Sequence, residues 1–309
     1  MTARQVPGIE VTRRAIASME VRGAEAIARA AALSLAGEVG HARTLAEAKR
    51  KARSAAARLE GARPTAVSLR NGVQWVLRPV LAAKSLEEAR QAARSAAEGL
   101  VRRLGEGRQA IARHGAAALK EGETVLTHCH SSTVVDVLLR AHRDGKRLRV
   151  FATETRPWRQ GLVTTRQLAQ GGLRPTLVVD GAVQHLIDTR GVGHVLVGAD
   201  TVGRDGTLVN KIGTSGVARL AKAARVPVLC AASFLKFTDR PASAVPIEER
   251  ASAEVADSKD LARGVSVLNP VFDRTPARFV TGFVTEDGIL RPRAAVAHAL
   301  KRLRAVGGR

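Results

Sequence analysis

The chain has 309 residues, 45% of them apolar and 25% charged, enough for a large core, or for a core domain with an accessory one. Two cysteines about a hundred residues apart make no disulfide framework; no apolar run approaches the roughly 18 residues of a membrane span, and the first twenty lack a signal peptide's apolar core, so a cytoplasmic protein is expected. The net charge of +22, with arginine supplying 40 of the 50 basic residues, is spread along the chain rather than gathered in a tail.

Up to about residue 116 the pattern is helical. "VTRRAIASMEVRGAEAIARAAALSLAG" places apolar residues three and four apart, with an interruption at Arg22-Gly23 and a predicted close at Gly37. "TLAEAKRKARSAAARLEG" and "SLEEARQAARSAAEGLVRRL" read as alanine-rich amphipathic helices with acidic groups near their starts. Between them, "RPTAVSLRNGVQWVLRPV" reads as a helix begun just after Pro64. After residue 120 short β-branched runs alternate with helical segments: "TVLTH", "LRVFAT", "PTLVVD", "HVLVGAD" and "VPVLCAAS". That alternation predicts βαβ units and a parallel sheet covered on both faces. "RFVTGFVT" supplies a further strand and "PRAAVAHALKRL" a last helix, while residues 238–264 form a long excursion at an interface or over the site. The expected architecture is α/β: a helical N-terminal domain, residues 1–118, then a Rossmann-like parallel-sheet domain, residues 119–309, carrying most of the active site.

Ligands of open parallel sheets bind beyond the carboxyl ends of the strands. Cys129 closely follows the first predicted strand and precedes a helix starting near Ser131 or Ser132. A helix N-terminus there would stabilise a thiolate; the bland alternative is a small apolar filler. A metal reading of His128, Cys129 and His130 is weaker, because no CxxC, HExxH or second Cys/His cluster completes a ligand set. Cys230, inside "VPVLCAAS", reads as core. Asp200 ends "HVLVGAD" at another strand's carboxyl end, where a carboxylate either exchanges a proton or caps a turn. In "NKIGTSGVARLAKAA", Asn210 and Lys211 precede a helix start at Gly213–Gly216 that would cradle a phosphate. It is neither a Walker A loop nor a GxGxxG fingerprint, which disfavours nucleotide hydrolysis and NAD chemistry. Lys236, in "SFLKF" just beyond another strand, reads either as a second cation for the site or as a solvated surface lysine. A thiol, a carboxylate and phosphate-type groups at one sheet edge suggest proton transfer on a sugar phosphate.

The basic charge has three readings: nucleic-acid binding, the solvated helix faces of an arginine-rich protein, or arginines that hold a phosphorylated small molecule. With 3% aromatic residues and no tyrosine, a base-stacking platform is poorly supported, and nucleic acid is not expected as a partner.

In order along the chain, "MEVRGAEAI", "RPTAVSL", "THCHSS", "ETRPWRQG", "VGADTVGRDGTLVNKIGT" and "NPVFDRTPARFVTGFVTEDGILRP" resemble the family of aldose-phosphate isomerases and translation-initiation exchange-factor subunits, from about residue 10 to residue 292. The resemblance implies the same two-part fold. It also implies Cys129 and Asp200 as a catalytic pair that the initiation-factor subunits generally lack. Within the family, the short segment before Arg22, "THCHSS" and "FLKF" resemble the enzymes that convert α-D-ribose 1,5-bisphosphate to D-ribulose 1,5-bisphosphate. "VPIEER" looks more like the methylthioribose-1-phosphate isomerases, and a non-catalytic regulatory subunit is the third branch. The implied contacts to the phosphorylated pentose are Arg22, Gly23, Ala24, Arg63, Ser131, Ser132, Asn210, Lys211 and Lys236. The family's RGAG is here RGAE, and a carboxylate at Glu25 would repel a phosphate unless it points away or pairs with an arginine. The resemblance further implies no required metal or redox cofactor, AMP as an activator, and a homo-oligomer built from dimers, up to a hexamer.

Overall fold

The computed structural model describes residues 7–21, 23–63 and 65–305. The chain forms two compact units. One takes residues up to Gly107 with Phe234–Thr238 and the stretch from Ala297; the other takes Arg108–Ser233 and Asp239–Val296. The boundary expected at residue 118 is a single cut, whereas here the division falls inside the helix Leu86–Ala118 and again inside the helix Pro292–Ala305, and two later segments belong to the first unit.

The first unit is helical: α1 (Ile9–Ala17), α2 (Ala24–Gly40), α3 (Leu45–Ala62), α4 (Val67–Ala82) and the start of α5 (Leu86–Ala118). Thr44 caps α3, its hydroxyl accepting from the Glu47 N–H at 3.1 Å while the Glu47 carboxylate reaches back to the Arg43 N–H at 2.7 Å. Helix α2 does not close at Gly37 as expected but runs to Gly40. Leu35 and Val39 are both fully buried, so packing of that face outweighs the roughly 1 kcal/mol that an interior glycine costs. Gly72 of α4 meets Ala28 of α2 so closely that a Cβ on the glycine would stand 2.9 Å from the alanine's Cβ. Asn71, on the same helix, donates to the carbonyls of Leu235 and Phe237 at 2.8 and 2.9 Å, tying the Phe234–Thr238 segment into this unit.

The second unit is built on a seven-stranded sheet of β1 (Thr124–Thr127), β2 (Arg149–Thr153), β3 (Thr176–Val178), β4 (Val192–Val197), β7 (Val228–Ala231), β9 (Gly282–Thr285) and β10 (Gly288–Leu290). Their order is β10-β9-β7-β4-β1-β2-β3, parallel throughout except for β10. The helices α6 (Ser132–Arg143), α7 (Gln160–Gln170), α8 (Val183–Thr189) and α9 (Thr214–Ala223) connect the strands, and α10 (Pro292–Ala305) ends the described chain. Val125, Val137, Leu138, Leu168, Leu196 and Val284 belong to its apolar core. This is the α/β fold with a Rossmann-like sheet expected above. A second sheet of β5 (Thr201–Val202), β6 (Leu208–Lys211) and β8 (Phe272–Thr275) was not anticipated, its strands being too short for a periodic signal. Among the described residues no helix is long and apolar enough to cross a membrane.

Candidate active site

From β1 the chain winds outward to β2 and β3; from β4 it winds the other way, to β7 and β9. The order reverses between β1 and β4, and that switch point is where an open α/β sheet leaves a crevice for ligands. Cys129 lies two residues beyond β1 and Asp200 three beyond β4, so the two side chains singled out in the sequence flank the crevice. Asp200 is half-buried, and its N–H donates to the Val209 carbonyl at 3.1 Å, tying it to β6. Gly198, between β4 and Asp200, meets Ser131, two residues past Cys129. Ser131 caps α6, accepting from the Val134 N–H, and Ser132 is that helix's first residue. The fold therefore brings Cys129, Ser131, Ser132 and Asp200 to one edge.

Cys129 has φ +68°, a left-handed conformation uncommon outside glycine. Both its backbone polar groups are bonded by threonines. Its N–H donates to Thr155 Oγ1 at 2.9 Å, and its carbonyl accepts from Thr164 Oγ1 at 3.0 Å. The flanking histidines are held in opposite tautomers. His128 is buried, and its Nε2 must donate to the Ile212 carbonyl at 2.8 Å, leaving Nδ1 to accept from Thr153 Oγ1 at 2.6 Å. The Thr164 hydroxyl proton is committed to Cys129, so His130 Nδ1 donates to that oxygen at 3.1 Å. Burial holds both imidazoles below their usual range, and nearby Arg108 adds to the effect on His130.

Cys129 as a residue is half-buried, but the atoms packed round its sulfur push the thiol up to about 12, and the charges of Asp200 and Asp180 push the same way. Lys211 and the His130 N–H pull it down without prevailing. The lowered thiol expected from a helix N-terminus is thus corrected: loss of hydration outweighs the dipole.

The expected phosphate cradle at Gly213–Gly216 is corrected too. The Asp273 carboxylate of β8 accepts from the Gly213 N–H at 2.8 Å and from the Ser215 N–H at 3.0 Å. An anion made by the chain already occupies this helix start. Burial raises Asp273 to about 6 although both N–H bonds oppose the shift. Asn210 is 5% exposed and donates to Thr214 Oγ1 at 3.0 Å, and Thr214 in turn donates to the Lys211 carbonyl. Lys211 has its ammonium 5.1 Å from the centre of the Phe272 ring. Both lie on β6 in the second unit, and the charge of Lys211 reaches Cys129.

Gly23, Ala24, Arg63 and Lys236 belong to the first unit. Gly23 has φ +86° and precedes α2, whose first residue is Ala24; Arg63 follows α3; Lys236 is only 6% exposed. Arg22 lies outside the described residues.

The excursion after residue 238 packs on the loop following β2. Arg250 stands 4.4 Å over the Trp158 ring, and the Arg156 guanidinium donates to the Val255 carbonyl at 2.8 Å. That loop carries Thr155, so the excursion covers a segment that holds Cys129. Thr153, Thr155, Thr164, Asp180 and Asp273 were not singled out as site residues. Threonine on or just beyond a buried strand looks like ordinary β-propensity, and only the tertiary contacts reveal otherwise.

Residues 20–292 match the model of the initiation factor 2 subunit family. The chain belongs to that family. A curated relative within it is ribose 1,5-bisphosphate isomerase of Archaeoglobus fulgidus, 42% identical over 292 residues, which cover 93% of this chain and 91% of that one. Another family member, methylthioribose-1-phosphate isomerase of Citrifermentans bemidjiense, is 38% identical over 298 residues, covering 90% and 86%. Of solved structures, the translation initiation factor eIF-2B, subunit delta, from A. fulgidus superposes with a TM-score of 0.76 at 33% identity, covering 97% of this chain and 95% of that one.

Proposed function

We propose that this chain is an aldose–ketose isomerase that converts α-D-ribose 1,5-bisphosphate to D-ribulose 1,5-bisphosphate. The observation that carries the reading is the placement of Cys129 and Asp200 at the ends of the two strands flanking the switch point. The near full-length similarity to the Archaeoglobus fulgidus isomerase supports the substrate.

A sugar phosphorylated on its anomeric oxygen cannot open to a free aldehyde. Asp200 gives its proton to the ring oxygen as the C1–O bond breaks. Cys129, as thiolate, removes the C2 proton, leaving an enol across C1 and C2 that still carries the phosphate. The same sulfur returns that proton to C1. The enol's O2 proton goes back to Asp200, so C2 becomes the ketone and both residues are restored. Lys211 favours the thiolate, since its charge pulls the thiol down. Arg22, Gly23, Ala24, Arg63, Ser131, Ser132, Asn210, Lys211 and Lys236 hold the two phosphates. A cation as deeply buried as Lys236 is costly unless an anion meets it, which supports its inclusion. The reading needs no metal or redox cofactor. It includes AMP as an activator, a homo-oligomer built from dimers, up to a hexamer, and a cytoplasmic location.

The test is turnover of α-D-ribose 1,5-bisphosphate and of methylthioribose 1-phosphate in parallel, with and without AMP, by wild type, Cys129→Ser and Asp200→Asn. Formation of ribulose 1,5-bisphosphate by wild type, with at least a hundredfold loss in both variants, is expected. Turnover of the methylthio substrate alone moves the chain to that branch, and turnover of neither overturns the catalytic reading.

A further inference from the structure

We propose that Thr155 and Thr164 are positioning residues that hold Cys129 in its left-handed conformation and so set the direction of the thiol. Neither touches substrate in this scheme; each acts through the backbone of Cys129. The role in turnover rests on the isomerase reading, whereas the role in fixing the thiol does not.

The argument is one of hydrogen-bond accounting. The Thr155 oxygen accepts the Cys129 N–H at 2.9 Å, and its proton has the Thr153 Oγ1 at 3.2 Å or the Thr153 carbonyl at 3.3 Å to go to. Thr153 donates to His128 Nδ1 at 2.6 Å, and His128 Nε2 donates to the Ile212 carbonyl at 2.8 Å. Whichever of the two its proton takes, the Thr155 oxygen stays an acceptor for the Cys129 N–H, and the run from Thr153 through His128 to Ile212 keeps its direction for as long as His128 is neutral. Thr155 is itself unusual, a β-branched residue at φ +62°. Its N–H and that of Arg156 both donate to the Asp180 carboxylate, at 2.8 and 2.7 Å, and this compensates the strained turn. On the other side, Thr164 of α7 donates to the Cys129 carbonyl while accepting from His130. Both threonines are buried, at 0% and 1% exposure, so water cannot replace either hydroxyl without local rearrangement. A left-handed non-glycine residue persists only where its surroundings over-determine it, and here two side chains from the β2–α7 segment take both of its backbone groups.

The experiment compares Thr155→Val, Thr155→Ser, Thr164→Val and Thr164→Ser with wild type in the full chain. The first readout is iodoacetamide labelling of Cys129 at pH 8, resolved from Cys230 by peptide mass. Cys230 is fully buried, its thiol donating to the Gly198 carbonyl, so it reports unfolding. The valine variants keep the volume but lose the hydroxyl. Released from its clamp, the thiol becomes better hydrated, so Cys129 should label at least threefold faster while Cys230 stays unlabelled. In the isomerase assay kcat should fall tenfold or more with KM within twofold. The serine variants should match wild type in both readouts. Wild-type labelling in folded valine variants would overturn the proposal even if no substrate were turned over. Should a valine variant not fold, its serine counterpart decides: a serine variant with released labelling shows that methyl packing, not the hydroxyl, holds the cysteine, and overturns the proposal.

Discussion

Gly198 lies against Ser131 so closely that a Cβ on the glycine would stand 2.6 Å from both the Cβ and the Oγ of the serine. This contact joins the segment that leads to Asp200 with the turn that leaves Cys129. The distance between the two strand ends at the switch point is therefore set by a missing methyl group.

Gly198→Ala should accordingly cost about 1–3 kcal/mol of stability, the usual range for overpacking a tight site. Adding Ser131→Gly removes the opposing atoms, and glycine is a tolerated N-cap that costs only a few tenths of a kcal/mol. The double variant should recover most of the lost melting temperature. Equal melting temperatures for the single and double variants would show that the strain lies elsewhere.

The thiol of Cys129 is raised by burial first and by the Asp200 charge in addition, while Lys211 opposes both. Asp200→Asn removes a raising charge, so at pH 8 the ionised fraction and the alkylation rate of Cys129 should rise severalfold. Lys211→Met removes the lowering charge and should slow alkylation by a similar factor. In wild type the rate should still be climbing tenfold per pH unit at pH 9, because the thiol titrates near 12. A plateau below pH 9 would contradict that.

Asp273 holds the start of α9 by two N–H bonds, so Asp273→Ala should destabilise the second unit by about 1–2 kcal/mol, as loss of a helix cap does. The sign with pH follows from its raised value. The folded protein keeps the proton more tightly than the unfolded chain, so this group's contribution is fully present below about pH 4 and is lost as pH rises through about 6. Urea midpoints should show the advantage of wild type over the alanine variant shrinking across that window and staying constant above it.

His128 is shifted the other way. Burial depresses it, so its contribution to stability is present above the ordinary value of 6.5 and is lost as pH falls below it. His128→Phe should cost about 1–3 kcal/mol at pH 8, because the Ile212 carbonyl loses its donor, while Thr153 can turn its proton to Thr155 Oγ1. It should also flatten the loss of stability as pH falls below 6.5, as read by thermal melts.

The alternation of β-branched runs with helical segments after residue 120 was enough to define the parallel sheet, because strands buried on both faces must be apolar along their whole length. The same pattern put Cys129 and Asp200 just past strand ends, since the motifs sit where the apolar runs stop. What the sequence could not express is adjacency. That β1 and β4 are neighbours and that the order reverses between them depends on crossovers tens of residues long. The raised thiol, too, is a property of the atoms gathered around Cys129 from distant segments, and a helix start read in isolation pointed the other way. Likewise the phosphate cradle foreseen at Gly213 is filled by Asp273, sixty residues away in the chain. Local physics, in which each residue's propensity and spacing suffice, was legible in the sequence. Hydration, charge and hydrogen-bond partners are set by whatever the fold brings near, and only the tertiary structure decides those.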